Sequence, residues 1–179
     1  MAPPSDPQDP GFGELRLFDQ WVQEHHQQVY TFILRMIGNP EDAADLTQDA
    51  LLQTFRTKSK VDPDSAGYVK WCYTIARNLA VDYRRKKRPR AAEDEELERA
   101  VDARTLRPEE VYEHRVKSAE VREELLALPE MYREVLLLRY QTEMSYEQIA
   151  EVLEVPVTTV ETRIHRAKKM LRERLERRN

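Results

Sequence analysis

Apolar residues recur along this chain at the spacing of an α-helix, and no stretch alternates convincingly with the period of a strand. Helical spacing starts near Glu14, and Val29, Phe32, Ile33 and Met36 fall at i, i+3, i+4 and i+7, one apolar face. Gly38 can close that helix in a left-handed conformation. Asn39 then caps the next helix, with Pro40 at its first position, where a missing N–H costs nothing. This second helix, about Glu41 to Thr57, turns Leu46, Ala50, Leu51 and Phe55 toward a core. Residues 58–64 read as a polar loop holding Pro63, and Ser65 can cap a long helix running to about Arg85.

The wheel of that long helix has three faces. Tyr68, Val69, Cys72, Ile75, Ala76, Leu79 and Tyr83 share one direction and predict the packed side. Lys70, Arg77 and Arg84, spaced by seven, align on the far side as a cationic column. Trp71, Asn78, Asp82 and Arg85 occupy the flank between them.

The pattern lapses over residues 91–118, where charges mix around the acidic run Glu93 to Glu96 and a linker is expected. It resumes near Ala119. Val121, Leu125, Leu126 and Leu128 form one helix that Pro129 ends, and Tyr132, Val135, Leu136 and Leu138 belong to the next. Met1 to Gly13 holds four prolines without periodicity and reads as a disordered tail. The expected fold is all-α: two small helical domains, 14–90 and 119–179, joined by a flexible acidic linker.

Within the second domain, Ser145 and Gln148 make a capping box. Ile149, Ala150 and Leu153 are the buried positions of a short helix, and Glu154, Val155 and Pro156 form a tight turn. Val160, Ile164, Ala167 and Leu171 are the buried stripe of the helix that follows. Two short helices, a turn of three residues and a small residue at their crossing make a helix-turn-helix. The second helix would present Thr158, Thr159, Glu161, Thr162, His165, Arg166, Lys169 and Arg172 outward. Its first residues can reach base edges, a glutamate by accepting from cytosine, while later basic residues sit on phosphates. A plain helical hairpin with a solvated charged face has the same spacing.

Charge sharpens this picture. The net charge of -4 does not by itself suggest a polyanionic partner. Yet residues 66–90 carry eight basic residues against Asp82, and eight more basic residues lie at or after Arg163. Two basic patches separated by an acidic stretch suggest two contacts with one nucleic acid. No segment approaches a membrane span, and the first ten residues lack the basic and apolar regions of a secretion signal. The chain reads as cytoplasmic, with no membrane insertion.

Cys72, the one cysteine, falls on the packed face and excludes an internal disulfide or a cysteine-built zinc site. His25 and His26 have no further ligand at a useful spacing, so they read as a solvated pair, and no metal or cofactor is expected. Asp45 and Asp49 resemble a carboxylate pair without a nucleophile beside them. With no phosphate-cradling loop or triad pattern, an enzyme is not expected.

The residues from Leu128 and Pro129 to Val135, from Ser145 to Ala150 and from Val155 to Ala167 resemble the C-terminal domain of extracytoplasmic-function (ECF) sigma factors. The first half is similar to the same family independently. Asp45, Leu46, Gln48 and Asp49, followed by Phe55 and Arg56, resemble its polymerase-clamp-binding segment. Trp71 through Asn78, then Asp82, Tyr83, Arg84 and Arg85, resemble the segment that melts and reads the minus-ten element. The resemblance implies binding to RNA polymerase core and promoter DNA, and an anti-sigma factor as a further partner. It implies polymerase contacts at Asp45, Leu46, Gln48, Asp49 and Phe55, and minus-ten contacts at Lys70, Trp71, Arg77, Asn78, Asp82, Arg84 and Arg85. The loop 58–64 with Asn78 would hold an unstacked base. Minus-thirty-five contacts would come from Thr158, Thr159, Glu161, Thr162, Arg163, His165, Arg166 and Lys169.

Two positions depart from the family pattern. Glu154 stands where glycine is common, and Glu161 where lysine is common, which points to an unusual promoter sequence. Two other readings stay open at this point: a dimeric helix-turn-helix regulator acting without replacing the sigma subunit, and a polymerase-binding module that reads no DNA.

Overall fold

The computed structural model describes residues 10–57, 65–87 and 119–178, all within or between helices. Helix α1 spans Pro10–Ile37, α2 Pro40–Thr57 and α3 Ser65–Lys87. Helices α4 (Ala119–Leu126), α5 (Glu130–Gln141), α6 (Tyr146–Leu153) and α7 (Val157–Arg178) form the second half. The expected loop 58–64 and linker 91–118 lie outside the described residues.

Helix α1 starts four residues before Glu14, so it takes in part of the expected tail. Its first residue is Pro10, whose fixed φ and missing N–H suit the first helical position. Val29, Phe32, Ile33 and Met36 are fully buried. The helix ends at Gly38, which has φ +80° and donates to Leu34 at 2.8 Å. Asn39 Oδ1 accepts from the N–H groups of Glu41 and Asp42 at 3.0 and 3.1 Å, as an N-cap should. Glu41 and Asp42 also set negative charge in the first turn, opposite the positive end of the helix dipole.

α1, α2 and α3 pack together through Ala43, Ala50, Leu51, Cys72, Tyr73, Ala76 and Ala80. Thr47 and Thr54 are wholly buried in α2, and each returns its hydroxyl hydrogen to the carbonyl four residues back. In the second half, α7 lies against α4, α5 and α6, with Val160, Ile164, Ala167 and Leu171 buried as expected.

The two halves are not separate. α1 packs on α4 and α5, and α3 packs on α6. Arg133, fully buried on α5, organises that seam. Its Nε donates to Leu125 O at 2.8 Å, and its terminal nitrogens donate to Leu126 O, Leu128 O and, across the seam, Met36 O at 2.6–2.7 Å. These are carbonyls of the last turns of α1 and α4 and of the turn after α4, which a helix leaves without internal partners. The guanidinium also sits where helix dipoles are negative. Alongside, Gln141 donates to Gln28 O at 2.8 Å and accepts from Arg35 at 3.1 Å.

Arg133→Leu leaves four carbonyls facing an apolar side chain and should lower unfolding free energy by about 3–5 kcal/mol. Arg133→Lys should recover only part of it, since an ammonium lacks the planar fork. Urea midpoints by circular dichroism check both; a lysine variant as stable as the parent contradicts this account.

Candidate nucleic-acid interface

Three surfaces carry the residues singled out from the sequence. The first is the outer face of α2. Asp45, Gln48 and Asp49 are exposed there, and Leu46 is half-buried. Phe55 turns inward, its ring 4.9 Å from that of Phe18. Leu52, three residues beyond Asp49, is an exposed apolar side chain on the same face, 46% accessible. Sequence reasoning passed over it, although the spacing 45, 48, 49, 52 marks one helical stripe.

The second surface is α3. Its packed face forms as expected around Cys72, Ile75 and Ala76, with Tyr73 and Ala80 added to the buried set. Asn78, Asp82 and Arg85 are exposed, and Arg85 pairs with Asp82 at 3.1 Å. Trp71 is half-buried and donates from its indole N–H to Thr57 Oγ1 at 2.8 Å, which fixes its ring against the end of α2. At the far end, the Tyr83 hydroxyl donates to Asp42, and Lys87 donates to the same carboxylate at 2.9 Å. Asp42 is held below the usual carboxylate range, first by Tyr83 and then by Lys87.

The cationic column does not face solvent in the way the wheel predicts. Lys70 pairs with Glu151 of α6, Arg77 with Glu134 of α5 at 2.8 Å, and Arg84 with Glu130 of α5 at 3.9 Å. Arg77 also donates to the Asn78 carboxamide oxygen at 3.1 Å, which orients that side chain. The wheel placed these cations correctly on one side, but it could not show that the second half covers them. Glu134 is a second residue, after Leu52, that the sequence reading missed. A charged pair, Arg133 and Glu134, inside the apolar run up to Leu138 was the available signal.

The third surface is the helix-turn-helix. Ser145 Oγ accepts from Gln148 N–H at 3.2 Å, while Gln148 Oε1 accepts from Ser145 N–H at 2.9 Å, a complete capping box. Glu154 closes α6 with φ 54° in the left-handed region, and Val155 N–H reaches back to Ala150 O at 3.0 Å. The backbone expected of a glycine is thus adopted by a glutamate.

Thr158, Glu161, Thr162, His165 and Arg166 are exposed along α7, and Thr159 and Lys169 are half-buried. Thr158, Thr159, Thr162, Arg163 and Arg166 line an open groove of about 360 Å³ with Met131 and Tyr132. Arg163, expected at phosphate, instead reaches Glu134 at 3.4 Å.

His25 is not solvated as a pair with His26. Its ring stacks on Trp21, centroids 4.7 Å apart, and its Nδ1 lies 2.9 Å from Trp21 O. Burial pushes the Cys72 thiol up to about 11. At pH 8 the native thiol should therefore react about a hundredfold more slowly with an alkylating reagent than in urea, since each unit of pKa is tenfold in thiolate. Equal rates in buffer and urea would place Cys72 outside the core.

Residues 21–90 match the family described as Sigma-70 region 2, and residues 118–171 match Sigma-70, region 4. The chain is 32% identical over 171 residues to the ECF RNA polymerase sigma factor SigW of Bacillus subtilis, covering 91% of each chain. It is 33% identical over 172 residues to the RNA polymerase sigma-H factor of Pseudomonas aeruginosa, covering 92% of this chain and 89% of that one. Among solved structures, CnrH in complex with the cytosolic domain of CnrY is similar, with TM-score 0.69 and 25% identity over 92% of this chain and 91% of that one. The sigma factor RpoE in complex with the anti-sigma factor NepR, from Bartonella quintana, shares the fold at TM-score 0.68 and 21% identity, covering 89% of this chain and 96% of that one. Among the described residues, no helix is long and apolar enough to cross a membrane.

Proposed function

The chain belongs to the ECF group of RNA polymerase sigma factors, and on that premise we propose a division of labour among its three surfaces. It is a sigma factor that directs RNA polymerase to promoters. The observation that carries the proposal is the pairing, in one chain, of a solvent-facing helix-turn-helix with a second helix, α3, bearing an aromatic and cationic flank.

In this reading α2 docks on polymerase core through Asp45, Gln48 and Asp49, with Leu52 as its apolar contact and Leu46 and Phe55 beneath. A lone exposed leucine ringed by polar groups suits the centre of a small protein interface. α3 takes the minus-ten element: Asn78 and Trp71 meet an extruded base, and Lys70, Arg77, Arg84 and Arg85 meet phosphates. Asp82, paired with Arg85, sets the direction of that guanidinium. α7 enters the major groove at the minus-thirty-five element, with Thr158, Thr159, Glu161, Thr162 and His165 toward bases and Arg163, Arg166 and Lys169 toward the backbone.

The chemistry belongs to the polymerase, so this chain acts by binding and carries no catalysis of its own. Its site of action is the cytoplasm, where promoter DNA and polymerase are. The two similar solved structures are complexes, one of them named as holding an anti-sigma factor, which supports a protein inhibitor for this chain as well. A dimeric repressor reading gives no role to the exposed stripe of α2.

Replacing Gln48 and Asp49 together by alanine should weaken core binding at least tenfold with the helical content intact. Holoenzyme forming at parental affinity removes α2 from the interface.

Glu161→Lys exchanges an acceptor for a donor at the mouth of the recognition helix, so it should change which minus-thirty-five sequence is selected, by about 1–3 kcal/mol at one position. Lys169→Ala should lower affinity for all sequences alike. Selection of bound duplexes by the two holoenzymes at fixed salt tests both. The same sequences recovered with Glu161→Lys would show that Glu161 reads no base.

A further inference from the structure

We infer that Thr57, the last residue of α2, is a positioning residue for promoter opening: its hydroxyl holds the Trp71 ring in the orientation that stacks on an unpaired base of the minus-ten element. The inference rests on the reading of Trp71 as a contact to that element.

The hydrogen bonds run in one direction. A threonine hydroxyl has a single hydrogen, and that of Thr57 goes to Gln53 O, four residues back, at 2.6 Å. Its oxygen is left to accept, and it accepts the Trp71 indole N–H at 2.8 Å. The first bond is internal to α2, so the backbone of α2 sets where the hydroxyl lies. Trp71 belongs to α3, so its ring is aligned to a helix other than its own.

Satisfying a buried donor does not account for this bond. Trp71 is half-buried, and water can take an indole N–H at such a surface. Trp21 is only 7% exposed, yet its indole N–H meets no acceptor among the described residues. The chain leaves the deeper indole unpaired and ties the shallower one. What the bond adds at Trp71 is orientation. An indole has one polar group, a donor, and here Thr57 takes it. Trp71 therefore offers DNA its ring alone, and stacking on a ring face accepts any base. Discrimination between bases falls to Asn78, about two turns along the same flank. Asn78 is itself oriented by Arg77 at 3.1 Å.

Helix α2 carries both ends of this arrangement. Asp49 and Leu52 lie on its exposed stripe, and Thr57 is its final residue. Leu52 and Thr57 are roughly 8 Å apart along the axis, a distance over which a helix is stiff. Polymerase bound to the stripe thus holds the ring as well.

The test uses holoenzyme assembled from the full chain and core polymerase. 2-Aminopurine in the non-template strand of the minus-ten element reports opening by its fluorescence. Anisotropy of a duplex carrying only the minus-thirty-five element reports contact that does not involve Trp71. Thr57→Val keeps the branched shape and removes the hydroxyl. It should slow opening by about three- to tenfold, the range of one hydrogen bond, without a comparable loss of minus-thirty-five binding. Thr57→Ser keeps a hydroxyl and should recover most of the rate. Thr57→Ala, a better helix former, gives the same readout where the valine side chain does not pack. Opening at the parental rate in folded Thr57→Val or Thr57→Ala overturns the inference, as does an equal loss in both assays. Trp71→Phe distinguishes orientation of the ring from support of α2. It keeps a stacking ring but has no N–H, so Thr57→Val added to it should slow opening no further. Losses that add would show Thr57 acting through α2 and overturn the inference. Trp71→Ala tests the reading beneath it. Parental opening there removes Trp71 from the minus-ten contacts and the inference with it, whereas a loss there beside a flat Thr57→Val overturns the positioning alone.

Discussion

A buried guanidinium that satisfies main-chain carbonyls is the constraint on which the arrangement of this molecule depends. Arg133 gives four N–H bonds to Leu125, Leu126, Leu128 and Met36, and so binds the ends of two helices to each other. Desolvating a cation of that size is costly. It is tolerable here because the carbonyl groups it meets are ones a helix terminus leaves over and because their dipoles point the right way. Gly38 shows how close the fit is. A Cβ there would lie 3.1 Å from Leu126, and its φ of +80° already favours glycine. The seam is therefore fixed at one end by hydrogen bonds and shape.

Toward α3 and α6 the same seam changes character. Arg133 is neutralised by dipoles, but its neighbour Glu134 is neutralised by whole charges, Arg77 and Arg163. Arg133 gives its bonds to main-chain carbonyls, whereas Glu134 is held by two side-chain cations that come from different helices. Two adjacent residues of α5 divide these duties between them.

Much of this was legible in the sequence, for local reasons. The apolar faces of α1 and α7, the Asn39 and Ser145 caps and the Gly38 terminus all depend on residues within a few positions of one another. Spacing also placed Lys70, Arg77 and Arg84 on one side of α3. What faces that side is a matter of long-range packing, 46 to 81 residues away, to which a helical wheel is blind. The inward turn of Phe55 was readable from its place on the apolar face of α2, whereas the stacking of His25 on Trp21, one turn apart on α1, is a ring geometry that spacing alone does not give. Glu154 went the other way. Its αL conformation followed from the turn it must close, although its side chain argues against it.

Synthesis from the N-terminus gives the Met36–Arg133 bond a temporal side. The partners are 97 residues apart, so at roughly 5–20 residues per second the carbonyl waits roughly 5–20 s for its donor. During that interval the nascent α1–α3 unit ends α1 in water, and its arginines have none of the later carboxylates opposite them. Each molecule therefore passes once, during its synthesis, through a stage in which the cations of α3 stand without the second half that later pairs them.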